Sequence, residues 1–143
     1  MLPTLLSLVI VVTTALLTSC VTMVPTTVHT PSSSTQATIP PKGHLTPKQA
    51  YSLMKNGQAT VVDLRSQEMY NLGHIPGAIL IPVSDLASRL DKLNPEQPIL
   101  IYHVCQVCSW KATQILRENN FTHIYNLEGG LLEWEDQGFP VVQ

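Results

Sequence analysis

Hydrophobic residues are arranged in two contrasting ways along this chain. Positions 5–17 form one continuous block of apolar and small residues, whereas from position 44 onward short apolar runs alternate with segments in which apolar side chains recur every three or four residues. A short apolar run between polar residues is typical of a buried strand, and the second pattern is typical of a helix with one buried face. The pattern therefore predicts an apolar leader followed by a folded α/β region.

The patterned region, residues 44–143, is long enough for one hydrophobic core. The pattern predicts helices over 47–56, 66–72, 84–93, 109–119 and 131–137, and strands over 60–64, 79–81, 98–102 and 123–127. Short strands that alternate with amphipathic helices indicate a parallel, doubly wound sheet with helices on both faces. Ligands of such sheets bind at the carboxyl ends of strands, and the segment after Tyr102 is one such end.

Charged residues are confined to the patterned region. None of residues 1–41 is Asp, Glu, Lys or Arg, and the 8 basic and 10 acidic residues, which give a formal net charge of −2, all lie from Lys42 onward. This balance excludes a strongly basic nucleic-acid-binding surface. An apolar content of 44% is that of a globular chain rather than a disordered one.

The apolar block at 5–17 has the length of a signal-peptide core, about 7–15 residues, and is shorter than the roughly 20 that a membrane-spanning helix needs. The block leads into Leu17-Thr18-Ser19-Cys20, which resembles a bacterial lipobox. The resemblance implies a signal peptide over 1–19 and a lipid on the Cys20 sulfur. The alternative is an uncleaved anchor over 1–24. Either way, we expect the remainder to be extracytoplasmic, in the periplasm or cell envelope, and tethered to a membrane.

Residues 20–43 are rich in Thr, Ser and Pro and contain few large apolar side chains. Such a composition predicts an extended linker rather than a packed unit. The expected organisation is therefore a signal peptide over 1–19, a lipid-anchored linker over 20–43 and a domain over 44–143.

Two separated motifs in the domain resemble the signatures of the rhodanese family. The first reads Val-Val-Asp-Leu-Arg at 61–65 and Gly-His-Ile-Pro-Gly-Ala at 73–78; the second reads Tyr-Asn-Leu-Glu-Gly-Gly-Leu at 125–131 and Gly-Phe-Pro-Val at 138–141. The resemblance covers essentially all of residues 44–143. It implies a single rhodanese-like domain with a five-stranded parallel sheet.

Several residues of these motifs are expected to support the fold. Asp63 and Arg65 stand at a strand end, where they could pair with neighbouring charges and hold the loops in place. Arg65, Glu68 and His74 are predicted to be scaffold residues first and substrate contacts second, and Trp134 is predicted to anchor the core.

The resemblance also implies a catalytic loop between the third predicted strand and the next helix. In the family a Cys begins this loop, an Arg often closes it, and the Cys accepts a sulfane sulfur as a persulfide. Backbone N–H groups and the helix dipole stabilise the thiolate. Here the loop reads His103-Val104-Cys105-Gln106-Val107-Cys108. An ungapped alignment puts His103 in the usual Cys position and Cys108 in the usual Arg position, and an imidazole cannot hold a transferable sulfane sulfur in the same way.

The pair Cys105 and Cys108 leaves several functions open. Cys105 could act as a displaced nucleophile with Cys108 as its resolving thiol, which would make the chain a sulfurtransferase or sulfane-sulfur carrier. The pair could instead exchange disulfides, with His103 tuning the thiolate. All three residues could hold a metal if a fourth ligand came from elsewhere. A loop without activity would leave a rhodanese-like binding module.

We predict the first of these functions, with Cys105, Cys108 and His103 as the catalytic residues. This chemistry needs no metal or cofactor. The expected partner is a small sulfur-containing substrate or a thiol acceptor, which includes a thiol on another protein.

Overall fold

Residues 43–143 are the part of the chain that the computed structural model describes. Its strands and helices are β1 Gly43–Leu45, α1 Pro47–Lys55, β2 Thr60–Asp63, α2 Gln67–Leu72, β3 Ile79–Leu80, β4 Ile99–Tyr102, α3 Gln106–Glu118, β5 Ile124–Leu127 and α4 Gly130–Asp136. The predicted signal peptide, the predicted lipid site Cys20 and the linker up to residue 42 lie outside the described residues. Within residues 43–143, no helix has the length and apolar character needed to cross a membrane.

The strands form one sheet in the order β1-β5-β4-β2-β3. Every neighbouring pair is parallel. All four residues of the central strand β4 are buried, and their sequence Ile-Leu-Ile-Tyr suits a pleated surface covered on both sides. The α/β fold with a five-stranded parallel sheet is therefore confirmed.

Helices cover both faces of this sheet through two hydrophobic clusters. On one face Trp134 of α4 and Leu53 of α1 belong to the same cluster. On the other face Leu116 of α3 packs with Ile101 of β4. Trp134 is fully buried, and its indole Nε1 donates to the backbone oxygen of Pro140 at 2.9 Å. The predicted role of Trp134 as a core anchor is confirmed.

Helix α1 begins where the sequence predicts. The Thr46 hydroxyl accepts the backbone N–H of Gln49 at 3.4 Å, and the Gln49 side-chain oxygen accepts the backbone N–H of Thr46 at 3.0 Å. Pro47 occupies the first helical position, where its missing N–H is not needed.

The helix predicted over 84–93 is wrong. Two separate turns of 3-10 helix, Leu86–Ser88 and Leu90–Lys92, stand in its place. The Ser84 hydroxyl donates to the Asp85 carboxylate at 2.9 Å and caps no helix. Leucines spaced three or four residues apart fit i→i+3 turns as well as an α-helix, and bonds such as the one from the Ser88 N–H to the Asp85 oxygen at 3.0 Å close the tighter turns here. Ala87 in this segment is exposed.

Two further boundaries bear on the candidate site. β1 pairs with β5 although the sequence analysis assigned no strand before α1, because three residues carry too little periodicity to be recognised. Helix α3 begins at Gln106 rather than at 109. Cys108 therefore lies in the first turn of α3 and not in the loop before it.

Candidate active site

The loop predicted to carry the chemistry joins the carboxyl end of β4 to the start of α3. Cys105 is the N-cap residue of α3, with extended backbone angles of φ −122° and ψ 124°. Its carbonyl oxygen accepts a hydrogen bond from the backbone N–H of Ser109 at 3.2 Å. The first turn of a helix presents N–H groups without helical partners, and these favour negative charge at the N-cap.

The electrostatic surroundings of Cys105 favour its thiolate. They hold the pKa of the Cys105 thiol below its ordinary value, chiefly through the backbone N–H of Cys108, then through the Cys108 thiol and the backbone N–H of Val107. The sulfur makes no capping hydrogen bond of standard geometry. Cys105 is therefore a thiol whose ionised form is favoured and whose side chain remains partly exposed.

The pKa of Cys108 is shifted in the opposite direction from that of Cys105. The hydrogen bond with Cys105 raises the pKa of the Cys108 thiol, with burial and the charge on Cys105 adding to the effect and Lys111 opposing it. Both residues are free thiols. The two opposite shifts favour the thiolate form of Cys105 and the protonated form of Cys108.

His103 acts on the backbone of the loop. Its Nδ1 accepts a hydrogen bond from the backbone N–H of Cys105 at 2.9 Å, which in the neutral ring places the proton on Nε2. Burial lowers the pKa of His103, against the charge of Asp63, which raises it. The imidazole is thus favoured in its neutral form and fixes the peptide that carries Cys105.

The glycine pair after β5 packs against the same loop. Gly130 has a left-handed φ of 59°, and a Cβ at this position would lie 2.8 Å from the backbone oxygen of His103. Only glycine allows both this conformation and this close approach. The Gly-Gly element of the second motif therefore shapes the floor of the candidate site.

A buried polar network supports the loop from the side of β2. Arg65 Nη2 lies 2.6 Å from Asp63 Oδ2 and also donates to the backbone oxygen of Gly73 at 2.6 Å. The Tyr102 hydroxyl donates to Asp63 at 2.6 Å and accepts the backbone N–H of Ile75 at 3.2 Å. Burial and the Asp63 carboxylate raise the pKa of Tyr102 strongly. Asp63 and Arg65 were expected to pair with neighbouring charges, and they pair with each other. Tyr102 was not predicted to join them, because its hydroxyl comes from a different strand.

His74 and Glu68 lie at the edges of this scaffold. The His74 ring stacks on Tyr70 at 3.6 Å between ring centroids, and its backbone pairs with Val142. Glu68 is exposed in the first turn of α2, where the Ser66 hydroxyl lowers the pKa of its carboxyl group. Both residues therefore have contacts that support local structure.

An open cleft of about 740 Å³ lies beside the loop, and neither Cys105 nor Cys108 lines it. Its walls include His44, His103, Trp110, Thr113, Arg117 and Asn126. The Asn126 side-chain Nδ2 donates to the Thr113 hydroxyl at 3.3 Å. The Oδ1 atom of Asn126 is buried and has no hydrogen-bond partner among residues 43–143. The sequence analysis did not single out Asn126, because it lies within the second motif and nothing in that motif marks it as facing a cleft.

The metal-binding alternative finds no support in the described residues. Among residues 43–143, no three His, Cys, Asp or Glu side chains converge in a way that could hold a metal ion. One ring nitrogen of His103 already accepts the Cys105 N–H. In this loop the two thiols therefore lie together, whereas the His103 imidazole holds the loop backbone through the Cys105 N–H.

Known proteins are similar to this chain in sequence and share its α/β sheet. The chain is 30% identical over 97 residues to the thiosulfate sulfurtransferase GlpE of Actinobacillus pleuropneumoniae, covering 68% of this chain and 90% of that protein. It is 40% identical over 87 residues to the HTH-type transcriptional regulator Rv0324 of Mycobacterium tuberculosis, covering 59% of this chain and 38% of the regulator. The chain thus spans well under half the length of that second relative.

A solved structure shows the same architecture. The crystal structure of the Alr3790 protein from Anabaena sp. matches with a TM-score of 0.64 at 31% identity, over 68% of this chain and 81% of that one. Residues 46–137 match the family described as Rhodanese-like domain. The chain therefore belongs to the rhodanese-like domain family.

Proposed function

We propose that this protein is a sulfurtransferase or sulfane-sulfur carrier in which Cys105 is the nucleophile. The observation that carries the proposal is the position of Cys105 at the N-cap of α3, where neighbouring N–H groups and the Cys108 thiol lower its pKa. A thiolate attacks sulfur, whereas a thiol does so poorly. The similarity to GlpE, which is named a thiosulfate sulfurtransferase, supports the reaction class.

In the first step the Cys105 thiolate attacks the sulfane sulfur of a donor. A new S–S bond forms on Cys105 while the S–S bond of the donor breaks, and the electron pair leaves with the donor fragment. A thiosulfate donor releases sulfite, and a persulfide donor releases a thiolate. The product is a Cys105 persulfide.

In the second step an acceptor thiolate attacks the outer sulfur of this persulfide. The Cys105 thiolate leaves, and the acceptor becomes the new persulfide. With no acceptor present, the deprotonated Cys108 thiol attacks the inner sulfur instead, hydrosulfide leaves, and a Cys105–Cys108 disulfide forms. An external dithiol must then reduce this disulfide, so Cys108 is the resolving thiol in this branch.

His103 is proposed as a positioning residue and not as the sulfur-carrying one. Its Nδ1 holds the Cys105 peptide at 2.9 Å, and its low pKa keeps the ring neutral. This role explains how a loop with His in the usual Cys position can still present a thiol two residues further on.

The location is part of the same proposal. The apolar block at 5–17 and the Leu17-Thr18-Ser19-Cys20 motif favour an extracytoplasmic protein attached to a membrane through a lipid on Cys20. Labelling cells with a clickable fatty acid tests this directly. Wild type is expected to take up the label and sediment with membranes, and Cys20→Ala is expected to do neither. Labelling of Cys20→Ala would contradict the lipid site.

A turnover assay tests the reaction. The full chain carrying Cys20→Ser, so that only two thiols can react, is reduced and supplied with thiosulfate or glutathione persulfide as donor and dithiothreitol as acceptor. We expect sulfide release that Cys105→Ser abolishes. Equal rates in wild type and Cys105→Ser would remove Cys105 from the reaction.

A second candidate function is thiol–disulfide exchange. The observation that favours it is the hydrogen-bonded pair of thiols with oppositely shifted pKa values at the start of a helix. It predicts that the oxidised protein accepts electrons from a dithiol without any sulfane donor. Exchange at a rate above that of sulfur transfer would favour this candidate over the first.

A further inference from the structure

Cys105 and Cys108 converge because of their positions at the start of α3. Cys105 is the N-cap residue and Cys108 is the third residue of the helix, the two positions whose side chains reach towards each other in a capping box. The two thiols are hydrogen-bonded to each other, and both are free and partly exposed. The start of the helix therefore presents two sulfur donors side by side to solvent.

This donor set suits a metal ion that needs only two ligands. A metal held by His103 together with both thiols has no support among residues 43–143, where no third His, Cys, Asp or Glu joins the pair. Structural Zn²⁺ takes four ligands, and Ca²⁺ and Mg²⁺ take oxygen ligands. Thiolates are soft ligands that select Cu(I), and Cu(I) is stable in a linear arrangement between two sulfurs. Two thiols without further ligands therefore favour Cu(I) over these other ions.

The charge around the pair is also suitable for such a complex. Two thiolates and one Cu(I) ion together carry one negative charge, and the first N–H groups of a helix favour negative charge. The N–H groups of Val107 and Cys108 act on the Cys105 sulfur, and the positive charge of Lys111 acts on Cys108. Residues 103–110 add no Asp or Glu beside the sulfurs.

We propose that Cys105 and Cys108 form a two-coordinate site for Cu(I), a binding function beyond sulfur transfer. Each thiol gives up its proton and forms one S–Cu bond, and the copper stays monovalent, so no oxidant or reductant takes part. The Cys105 thiolate cannot hold copper and a sulfane sulfur at once. Cu(I) and a sulfur donor therefore compete for the same atom.

A chelator competition measures this site without any sulfur donor. The reduced full chain with Cys20→Ser is added, in the absence of oxygen, to the Cu(I)–bicinchoninate complex, whose colour fades as the protein removes the metal. We expect one Cu(I) ion per chain. The X-ray absorption spectrum of the bound copper should show two sulfur neighbours and no nitrogen. Zn²⁺, offered to the same chain, should be bound more weakly than Cu(I), because the pair supplies only two of the four ligands that it needs.

Removing either sulfur should abolish tight binding. Loss of a group that only supports a metal ligand typically costs about 10–100-fold in affinity, so Cys105→Ser and Cys108→Ser should each cost more than about a hundredfold. Val107→Ser is the matched control, because it introduces a serine between the two thiols and removes no sulfur; its affinity should stay close to that of the parent. His103→Asn should lower the affinity less than either cysteine variant, because the ring holds the loop backbone and is not a ligand.

Each of the other outcomes would overturn the site. If the chain takes no Cu(I) from bicinchoninate, or if Cys105→Ser binds as tightly as the parent, the two thiols do not form it. A nitrogen neighbour in the spectrum, or a loss in His103→Asn as large as in the cysteine variants, would contradict coordination by two sulfurs alone. Tighter binding of Zn²⁺ than of Cu(I) would contradict the choice of ion. Because no sulfane sulfur is present, these results are independent of whether the turnover assay succeeds.

Discussion

Two neighbouring strand ends of this domain carry opposite kinds of polar chemistry. The end of β2 carries Asp63 and Arg65, both buried and joined with Tyr102 in a closed hydrogen-bonded network. The loop after β4 carries Cys105 and Cys108, both partly exposed and without a disulfide. Asp63 and Tyr102 are register partners on the adjacent strands β2 and β4, so the two regions are neighbours. The charges of Asp63 and Arg65 are paired with each other, whereas the two thiols remain partly open to solvent. The contrast separates a scaffold from a site that is open to reaction.

Breaking the network should have the largest effect on stability. Asp63→Ala leaves the buried Arg65 guanidinium without its carboxylate, and removing one partner of a buried pair costs roughly 3–5 kcal/mol. We expect the free energy of unfolding, measured by urea denaturation, to fall by that amount. Val104→Ser, at an exposed position of the loop, is the control and should change it by less than about 0.5 kcal/mol. A loss below about 1 kcal/mol in Asp63→Ala would contradict the scaffold role.

A smaller loss of stability is expected at Tyr102, which belongs to the network and ends the strand before the thiol loop. Tyr102→Phe removes the hydroxyl that donates to Asp63 and accepts the N–H of Ile75. A buried group left without its partner costs about 1–3 kcal/mol, so we expect a loss of that size in the same denaturation experiment. Tyr51→Phe is the matched control, because the Tyr51 ring is partly buried against the same hydrophobic cluster but lies outside the Asp63 network. Equal stability of Tyr102→Phe and wild type would show that the hydroxyl is not needed.

Replacing one thiol should change the reactivity of the other with little effect on folding. In Cys108→Ala the Cys105 thiol loses one of the groups that lower its pKa, so its pKa should rise. In Cys105→Ala the pKa of Cys108 should fall, because its main cause of elevation is gone. The rate of alkylation by iodoacetamide as a function of pH measures both values in the Cys20→Ser background. Unchanged profiles in both variants would mean that the thiols are not coupled.

The smallest expected effect concerns His103 and acidity. Because its folded-state pKa is lowered below the ordinary 6.5, the unfolded chain binds the proton first. Stability from this group is therefore fully present above 6.5 and is lost as the pH falls from there through the lower folded-state pKa. His103→Asn keeps an acceptor for the Cys105 N–H but does not titrate. Relative to this variant, wild type should lose stability as the pH falls below 6.5; parallel curves would contradict the shift.

Local sequence rules account for much of the fold but not for the site's network. The buried strand at 99–102 and the start of α1 at Pro47 follow directly from composition and capping. The helix predicted over 84–93 is absent, because leucine spacing alone does not distinguish an α-helix from successive 3-10 turns. Tyr102 and Asn126 could not be identified, because their partners come from distant strands and helices.

The loop itself was predicted in composition but not in shape. The pair Cys105 and Cys108 was evident from the sequence, whereas the N-cap position of Cys105 depends on α3 beginning at Gln106. The hydrogen bond from the Cys105 N–H to His103 depends on a ring orientation that no local pattern encodes. The electrostatic difference between the two thiols follows from this geometry.

Mapping the added sulfur after a single turnover is the most direct test that Cys105 is the nucleophile. The reduced full chain with Cys20→Ser is mixed with one equivalent of glutathione persulfide, alkylated at once, digested and fragmented between the two cysteines. We predict the extra sulfur atom on Cys105 in the parent and in Cys108→Ser, and none in Cys105→Ser. An extra sulfur on Cys108, formed as fast in Cys105→Ser as in the parent, would contradict the account.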